Sequence, residues 1–306
     1  MERVRRQLGV TDRLVRYERK HSCVVAVLDT GASVHPDLDG KLLGFRDFIN
    51  GKEQFYDDNG HGTHVCGIIA GSGKLSGGRF RGMAPESRII MGKILDQNGQ
   101  GSVDYMIEGL KWILDLHEHQ PVDIINISVG MSEIGEESKR KQVRELIHSA
   151  WKKGILIICA AGNTGPAPGS LSTLSKMPEI IVVGCNDGGY ITGPGGCASY
   201  SASGDVNMKK PDLVAPGTGI VSCNFRWASG RGMQKSVPYI KKSGTSMATA
   251  IVTGAVALWM NQNGTESPGW LKTRLLTSCT DLGEPCYRQG WGMLNVTSFL
   301  ENIKRH

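Results

Sequence analysis

The stretch CVVAVLDTG, residues 23–31, runs through six apolar residues and then breaks into Asp29, Thr30 and Gly31. Its apolar residues are consecutive rather than alternating and too few for a core helix, which is the pattern of a strand covered on both faces. Four further runs share that character: RIIMGKIL at 88–95, VDIINISVG at 122–130, GILIICAAG at 154–162 and EIIVVGC at 179–185. Segments with helical spacing stand between them. SVDYMIEGLKWILDLHEH, 102–119, puts Met106, Gly109, Leu110, Ile113 and Leu114 along one side, and EESKRKQVRELIHSAWKKG, 136–154, does the same with Val143, Ile147, Ala150 and Trp151 before Gly154 ends it. This repetition predicts an α/β fold of three layers, a mostly parallel central sheet with helices on both faces.

In such sheets functional residues gather at the carboxyl ends of strands. Strand 23–28 ends in Asp29-Thr30-Gly31, strand 122–128 near Ser128-Val129-Gly130, and strand 155–160 in Ala161-Gly162-Asn163-Thr164-Gly165. Between the first two lies YDDNGHGTHVCGIIAG, 56–71, where Gly and Asn punctuate a turn and His61 opens a helical run. SGTSMATA, 243–250, introduces a long apolar helix with Ser246 at its start.

A serine hydroxyl is a poor nucleophile until a base takes its proton, and the base works best when a buried carboxylate fixes its tautomer. Asp29, His61 and Ser246 supply that set, in one of the three chain orders known for it and the one found on an α/β sheet. Each alone has an ordinary reading: Asp29 as a turn former, His61 as a satisfied helix-start histidine, Ser246 as a helix cap. Their flanks favour the set. Gly62 clears space beside the base for substrate and Ser246, while Gly67 and Cys66 let the helix pack tightly. Gly244 permits a sharp turn, and Ala248 and Ala250 let the second helix sit near the sheet. A helix N-terminus at Ser246 aims backbone donors at a developing oxyanion, and Asn163 on its Gly-flanked loop adds a side-chain donor. As an isolated residue Asn163 also reads as a turn former. His64 lies on the same helical side as His61, but no acidic third ligand at helical spacing completes a metal site. Cys66 is expected close behind His61.

VVAVLDTG, HGTHVCG, AAGNTG and SGTSMATA resemble, in order and approximate spacing, the Asp, His, oxyanion-Asn and Ser blocks of subtilisin-like serine proteases (subtilases, peptidase family S8). The resemblance runs from about residue 21 to 300. HPDLDGKLLGFRDFINGKEQFYDDNGHGTH, GMAPESRIIMGKILDQNGQGS, KKPDLVAPG and RQGWGMLNV look most like its intracellular, AprX-type branch. It implies a subtilisin-like fold and serine endopeptidase chemistry through an acyl-enzyme: Asp29 orients His61, His61 acts as base and then acid, and Ser246 attacks. Asn163 and the Ser246 N–H would hold the oxyanion, with help from Thr245. By the same likeness Gly101-Ser102-Val103 and Ser128-Val129-Gly130 would sandwich an extended protein or peptide substrate by strand addition. Ala160, Ala161, Gly162 and Thr164 would line the pocket before the scissile bond, which implies cleavage after large apolar residues. Three features depart from the family pattern. Ala250 replaces a usual proline and so removes a fixed helix-start angle. Cys66 stands where many relatives carry Ala. GSGKLSGGRFRG, 71–82, lacks the oxygen-ligand pattern of a strong calcium loop. No cofactor is therefore expected and calcium is not favoured, although YDDNG at 56–60 offers oxygens to a cation.

No linker, acidic block or repeat divides the 306 residues, so the reading is a basic N-terminal extension or arm over 1–20 and one peptidase domain over 21–306. The first twenty residues hold seven Lys/Arg against three Asp/Glu, leaving 28 basic against 26 acidic in the body. That balance argues against a nucleic-acid partner. Val4, Leu8, Leu14, Val15 and Tyr17 make the arm weakly amphipathic, and packing on the protein or disorder is favoured over a membrane surface. No apolar run is long enough to span a membrane, and no signal-type segment opens the chain. The chain is expected to be cytoplasmic if complete, and secreted if an upstream signal and prodomain are missing. The eight cysteines read as free thiols, with Cys279 and Cys286 the pair most able to bridge. The oligomeric state is left open. An esterase or ligase would use the same residues, and a catalytically silent binding module would keep the fold alone. A nucleotide-binding sheet lacks its GxGxxG or Walker motif.

Overall fold

In the computed structural model, which describes residues 1–11, 14, 20–129, 136–188, 196–228 and 237–301, the run after Cys23 forms strand β1, Val24–Asp29. It belongs to a seven-stranded sheet with β2 Leu42–Asp47, β3 Arg88–Lys93, β4 Ile124–Ile127, β5 Leu156–Ala160, β6 Ile180–Asn186 and β7 Leu213–Pro216. The spatial order is β2-β3-β1-β4-β5-β6-β7, and every neighbouring pair is parallel. A separate antiparallel ribbon pairs β8, Ile220–Cys223, with β9, Tyr239–Lys242. The helices that build the outer layers are α1 Glu2–Gln7, α2 His61–Ala70, α3 Val103–His117, α4 Glu137–Lys152, α5 Thr245–Asn263 and α6 Pro268–Thr277.

The continuous apolar character of β1 follows from two cores. Val25 and Val27 enter the one shared with α2 and α5, while Ala26 and Leu28 enter the other, shared with α3 and α4. Each Val or Leu among them contributes about 1.5–3 kcal/mol when fully buried, so neither face tolerates a polar residue without a partner. Helix α5 is buried at every position from Thr245 to Asn261, which explains its small residues: a Cβ on Gly254 would stand 2.5 Å from Met83 Cβ. Ala250 is the sixth residue of that helix, not a helix-start residue. Its N–H is thus in place for the carbonyl four residues back, that of Ser246.

The chain runs from β1 to β2 and β3 on one side, then crosses to β4 on the other. This places a topological switch point at the carboxyl ends of β1 and β4, where Asp29 and Ser128 lie. Strands β2, β7, β8 and β9 were not expected from the sequence, and β4 is shorter than the run 122–130. In the N-terminal arm, Val4, Leu8 and Val10 join the core, and the Arg3 guanidinium donates to the carbonyls of Gly188 at 3.0 Å and Thr218 at 2.8 Å. Val15 and Tyr17 lie outside the described residues. Among the described residues no helix is long and apolar enough to cross a membrane.

Candidate active site

Asp29 is the last residue of β1 and fully buried; its Oδ1 accepts the Thr30 N–H at 2.7 Å and lies 2.7 Å from His61 Nδ1. A carboxylate facing Nδ1 holds the proton there, which leaves Nε2 as the basic nitrogen. Burial is the largest influence on the His61 pKa and lowers it, but the charge of Asp29 and its hydrogen bond outweigh burial and hold it above the ordinary 6.5. His61 opens α2 because Asp57 gathers the donors of that helix end. Its carboxylate accepts from the N–H groups of Asn59 at 3.1 Å, Gly60 at 2.7 Å and Thr63 at 2.9 Å, and from the hydroxyls of Thr63 at 2.6 Å and Thr30 at 2.9 Å. Turn and cap chemistry therefore takes up its oxygens, and the neighbouring Asp58 pairs with Lys93 Nζ at 2.7 Å. The role expected of Gly62 changes. A Cβ there would sit 2.1 Å from the Gly31 carbonyl and 3.2 Å from Asp29 Oδ1, so this glycine lets the helix approach the strand end rather than clearing space for substrate.

Ser246 is the second residue of α5, where its own N–H has no intrahelical acceptor. Its hydroxyl donates to the Ser128 carbonyl at 2.7 Å, and no Ser246–His61 bond is found among the described residues. Across from it, Asn163 Oδ1 accepts from Thr245 N at 3.0 Å and from Thr245 Oγ1 at 3.1 Å. Those donors settle which amide atom is oxygen and leave Nδ2 as a free-facing donor. Thr245 is fully buried, and its hydroxyl also accepts the Gly162 N–H at 3.2 Å, so it clamps the Asn163 loop instead of facing a substrate.

Of the expected substrate edges, Gly101 and Ser102 are exposed, and Ser102 caps α3 by accepting the Tyr105 N–H at 3.2 Å. Ser128 is buried beside Ser246, and Gly130 lies outside the described residues. A small apolar cavity, about the size of one water, lies between Val129, Ala160, Met106, Leu110, Leu174 and Ile180. Ala160 is the one of the four expected wall residues that lines it. Ala161 packs in the α3/α4 core, Gly162 is half-buried, and Thr164 is exposed with its hydroxyl on the Ser170 carbonyl at 3.2 Å.

Two residues around this centre take roles that the sequence does not announce. Lys93, fully buried, donates to the carbonyls of Thr30 and Leu95, both at 2.7 Å, and so braces the turn after Asp29. His64 donates from Nε2 to the carbonyls of Ile220 and Ile240, both at 3.1 Å, tying α2 to β8 and β9. Burial, then the charge of Lys242, pushes its pKa down to about 3. Between that value and the ordinary 6.5 the unfolded chain binds the extra proton, so stability is expected to fall as pH falls through that window. Urea melts at pH 7, 5.5 and 4 check this: His64 adds up to about 1.4 kcal/mol per pH unit, a slope that His64→Gln should reduce. A pH-independent stability would contradict it.

Cys66 is fully buried, and burial, followed by the charges of Asp29 and Asp57, holds its thiol well above the ordinary range. All eight cysteines are free thiols, Cys279 and Cys286 included. One cluster of metal-type side chains, His35, Asp37 and Cys223, occurs among the described residues. Its polar atoms already have partners: His35 donates to Pro238 O at 2.9 Å and accepts from Asp37 N at 3.1 Å, while the Asp37 oxygens accept Leu75 N at 3.1 Å and Tyr239 OH at 2.8 Å.

Comparison with known proteins agrees with this fold. Residues 20–292 match the model of the subtilase family, Peptidase_S8. Serine protease AprX of Bacillus subtilis (strain 168) is 37% identical over 269 residues, covering 84% of this chain and 61% of that protein, so the chain spans about three fifths of its length. Subtilisin DY of Bacillus licheniformis is 31% identical over 276 residues, covering 89% of this chain and 88% of that protein. The solved structure of Sphericase superposes with a TM-score of 0.76 at 25% identity, over 93% of this chain and 96% of that one. With a buried carboxylate facing an imidazole at the end of a parallel sheet and a family match over residues 20–292, this protein belongs to the subtilase family.

Proposed function

We propose that the chain hydrolyses internal peptide bonds through an acyl-enzyme, with Asp29, His61 and Ser246 as its triad and Asn163 as an oxyanion donor. The observation that carries the reading is the 2.7 Å contact of His61 Nδ1 with a fully buried Asp29 carboxylate. That contact leaves Nε2 free to take a proton. When substrate binds, the Ser246 hydroxyl turns from the Ser128 carbonyl toward Nε2 and attacks the scissile carbonyl as His61 becomes imidazolium, stabilised by Asp29. The oxyanion is met by Asn163 Nδ2 and the Ser246 N–H. His61 then protonates the leaving amine, and water enters along the same path to release the acyl group. Eight free thiols support a reducing, cytoplasmic setting.

Asn163→Ala is expected to fold normally and to lose roughly 10²–10³ in kcat with little change in KM, because the amide acts on the oxyanion and not on bound substrate. Steady-state kinetics on a peptide amide check this, and a loss below tenfold removes Asn163 from the role. For specificity, an extended peptide is read along Gly101-Ser102-Val103 and Ser128-Val129-Gly130. By likeness to the family, small residues around Ala160 leave room for Leu, Phe, Tyr or Met before the scissile bond. A peptide-library profile tests this, and dominance of acidic or basic residues at that position overturns it.

A further inference from the structure

Strand β4 reads Ile-Ile-Asn-Ile, and its one polar residue, Asn126, is fully buried in the sheet between Val27 and Ile158. A buried amide in that position destabilises the sheet unless its hydrogen bonds are made. They are made in a directed chain. Thr253 Oγ1 of α5, also fully buried, donates to Asn126 Oδ1 at 2.9 Å, and Asn126 Nδ2 donates to Ser128 Oγ at 2.7 Å. The Ser128 hydroxyl accepts that bond on one of its two lone pairs, and its own proton can serve the long 3.4 Å contact to the Ser246 carbonyl. The Ser246 hydroxyl closes the circuit on the Ser128 carbonyl at 2.7 Å. The circuit therefore leaves α5 two turns beyond Ser246, crosses to β4, and returns to the first turn of α5 at the nucleophile itself.

We propose that Asn126, anchored by Thr253, is a positioning residue for the nucleophile: through the Ser128 hydroxyl it fixes where the Ser246 backbone and hydroxyl stand relative to the end of β4. The orientation of the amide matters because an N–H toward Ser128 leaves that hydroxyl's proton available to Ser246, whereas an amide oxygen there would take it. Without it the Ser128 proton is free to turn elsewhere, and the one side-chain link found among the described residues from the end of β4 to the Ser246 carbonyl is lost. Neither Asn126 nor Thr253 touches substrate in this role. The inference rests on Ser246 being the nucleophile.

The test is the second-order rate at which an arylsulfonyl fluoride sulfonylates Ser246, followed by intact mass, in a double-mutant cycle of Asn126→Ala and Ser128→Ala. Wild type is expected to label at Ser246, and Asn126→Ala to label roughly 10- to 10²-fold more slowly per folded molecule, the scale of a displaced reacting group. In the Ser128→Ala background the further Asn126→Ala change should alter the rate less than about twofold, because the path is already cut. Equal fold-losses in both backgrounds, or a wild-type rate in Asn126→Ala, overturn the inference while leaving the protease reading intact. Failure of wild type to label at Ser246 overturns both. A purely structural Asn126 lowers the melting temperature but leaves the rate per folded molecule unchanged. Should Asn126→Ala not fold, Thr253→Val against Thr253→Ser carries the test: the Ser variant keeps the donor and should label near the wild-type rate, the Val variant should be slowed, and equal rates overturn the proposal.

Discussion

Ser246→Ala is expected to lower kcat by about 10⁶-fold and to abolish sulfonyl-fluoride labelling, with the fold and substrate affinity retained. The magnitude is that known for the nucleophile of subtilisin, a relative of this chain. Retention of fold follows from what the side chain does at rest. Its hydroxyl makes one bond, to the Ser128 carbonyl, and the N-cap of α5 is Gly244, so no helix cap is removed. Loss of one such bond costs about 0.5–1.5 kcal/mol, small against the apolar burial of α5. A helix-cap serine behaves in the opposite way, with stability down by about 1 kcal/mol and turnover untouched. Turnover on a peptide amide and the melting temperature of the same samples separate the two, and activity within tenfold of wild type would return Ser246 to the cap role. Slow residual hydrolysis is compatible with the triad, since oxyanion donors and binding act without the nucleophile.

How much of this could be read before folding depended on whether a residue's partners are local. Strands β1, β3, β5 and β6 were legible because helices cover both faces and each run is apolar throughout. β2 was not, because LLGFRD is an edge strand with exposed Leu43 and Arg46, and β7, β8 and β9 hold four residues each, too few for a period to register. Asp29, His61, Asn163 and Ser246 stood out because each sits at a strand end or helix start with Gly or Ala within two residues. Asp57, hidden in a stretch that reads as a plain turn, gathers partners from three segments of the site. Lys93 and Asn126 carried a faint signal, a polar residue flanked by apolar ones or glycine inside RIIMGKIL and VDIINISVG, but nothing in spacing says that one braces Thr30 and the other reaches Ser128. The small apolar cavity beside Ala160, drawn from α3, β6 and the Leu174 turn, is a product of topology alone.

Asp29→Ala is expected to lower kcat by about 10⁴-fold, the order known for the triad aspartate of subtilisin, and Asp29→Asn by less, because of how Oδ1 is used. That single oxygen accepts the Thr30 N–H and faces His61 Nδ1, both at 2.7 Å. An asparagine with its amide oxygen in the same place keeps both donors satisfied and hence keeps the tautomer, whereas alanine releases the ring. What asparagine loses is charge. Burial alone lowers the His61 pKa, and the Asp29 charge is the chief influence that raises it past 6.5. The wild-type acid limb of kcat/KM should therefore lie above pH 6.5, with activity gained as His61 loses its proton. In Asp29→Asn the limb should move to lower pH as the imidazolium loses its counter-charge, while the plateau drops because the imidazolium formed in the transition state loses it too. Full pH–rate profiles of the wild type and both variants check the sign and the order. A limb that stays fixed in both variants would show that His61 is not the titrating base, and an asparagine plateau as low as that of alanine would show that charge, not tautomer, accounts for the whole effect of Asp29.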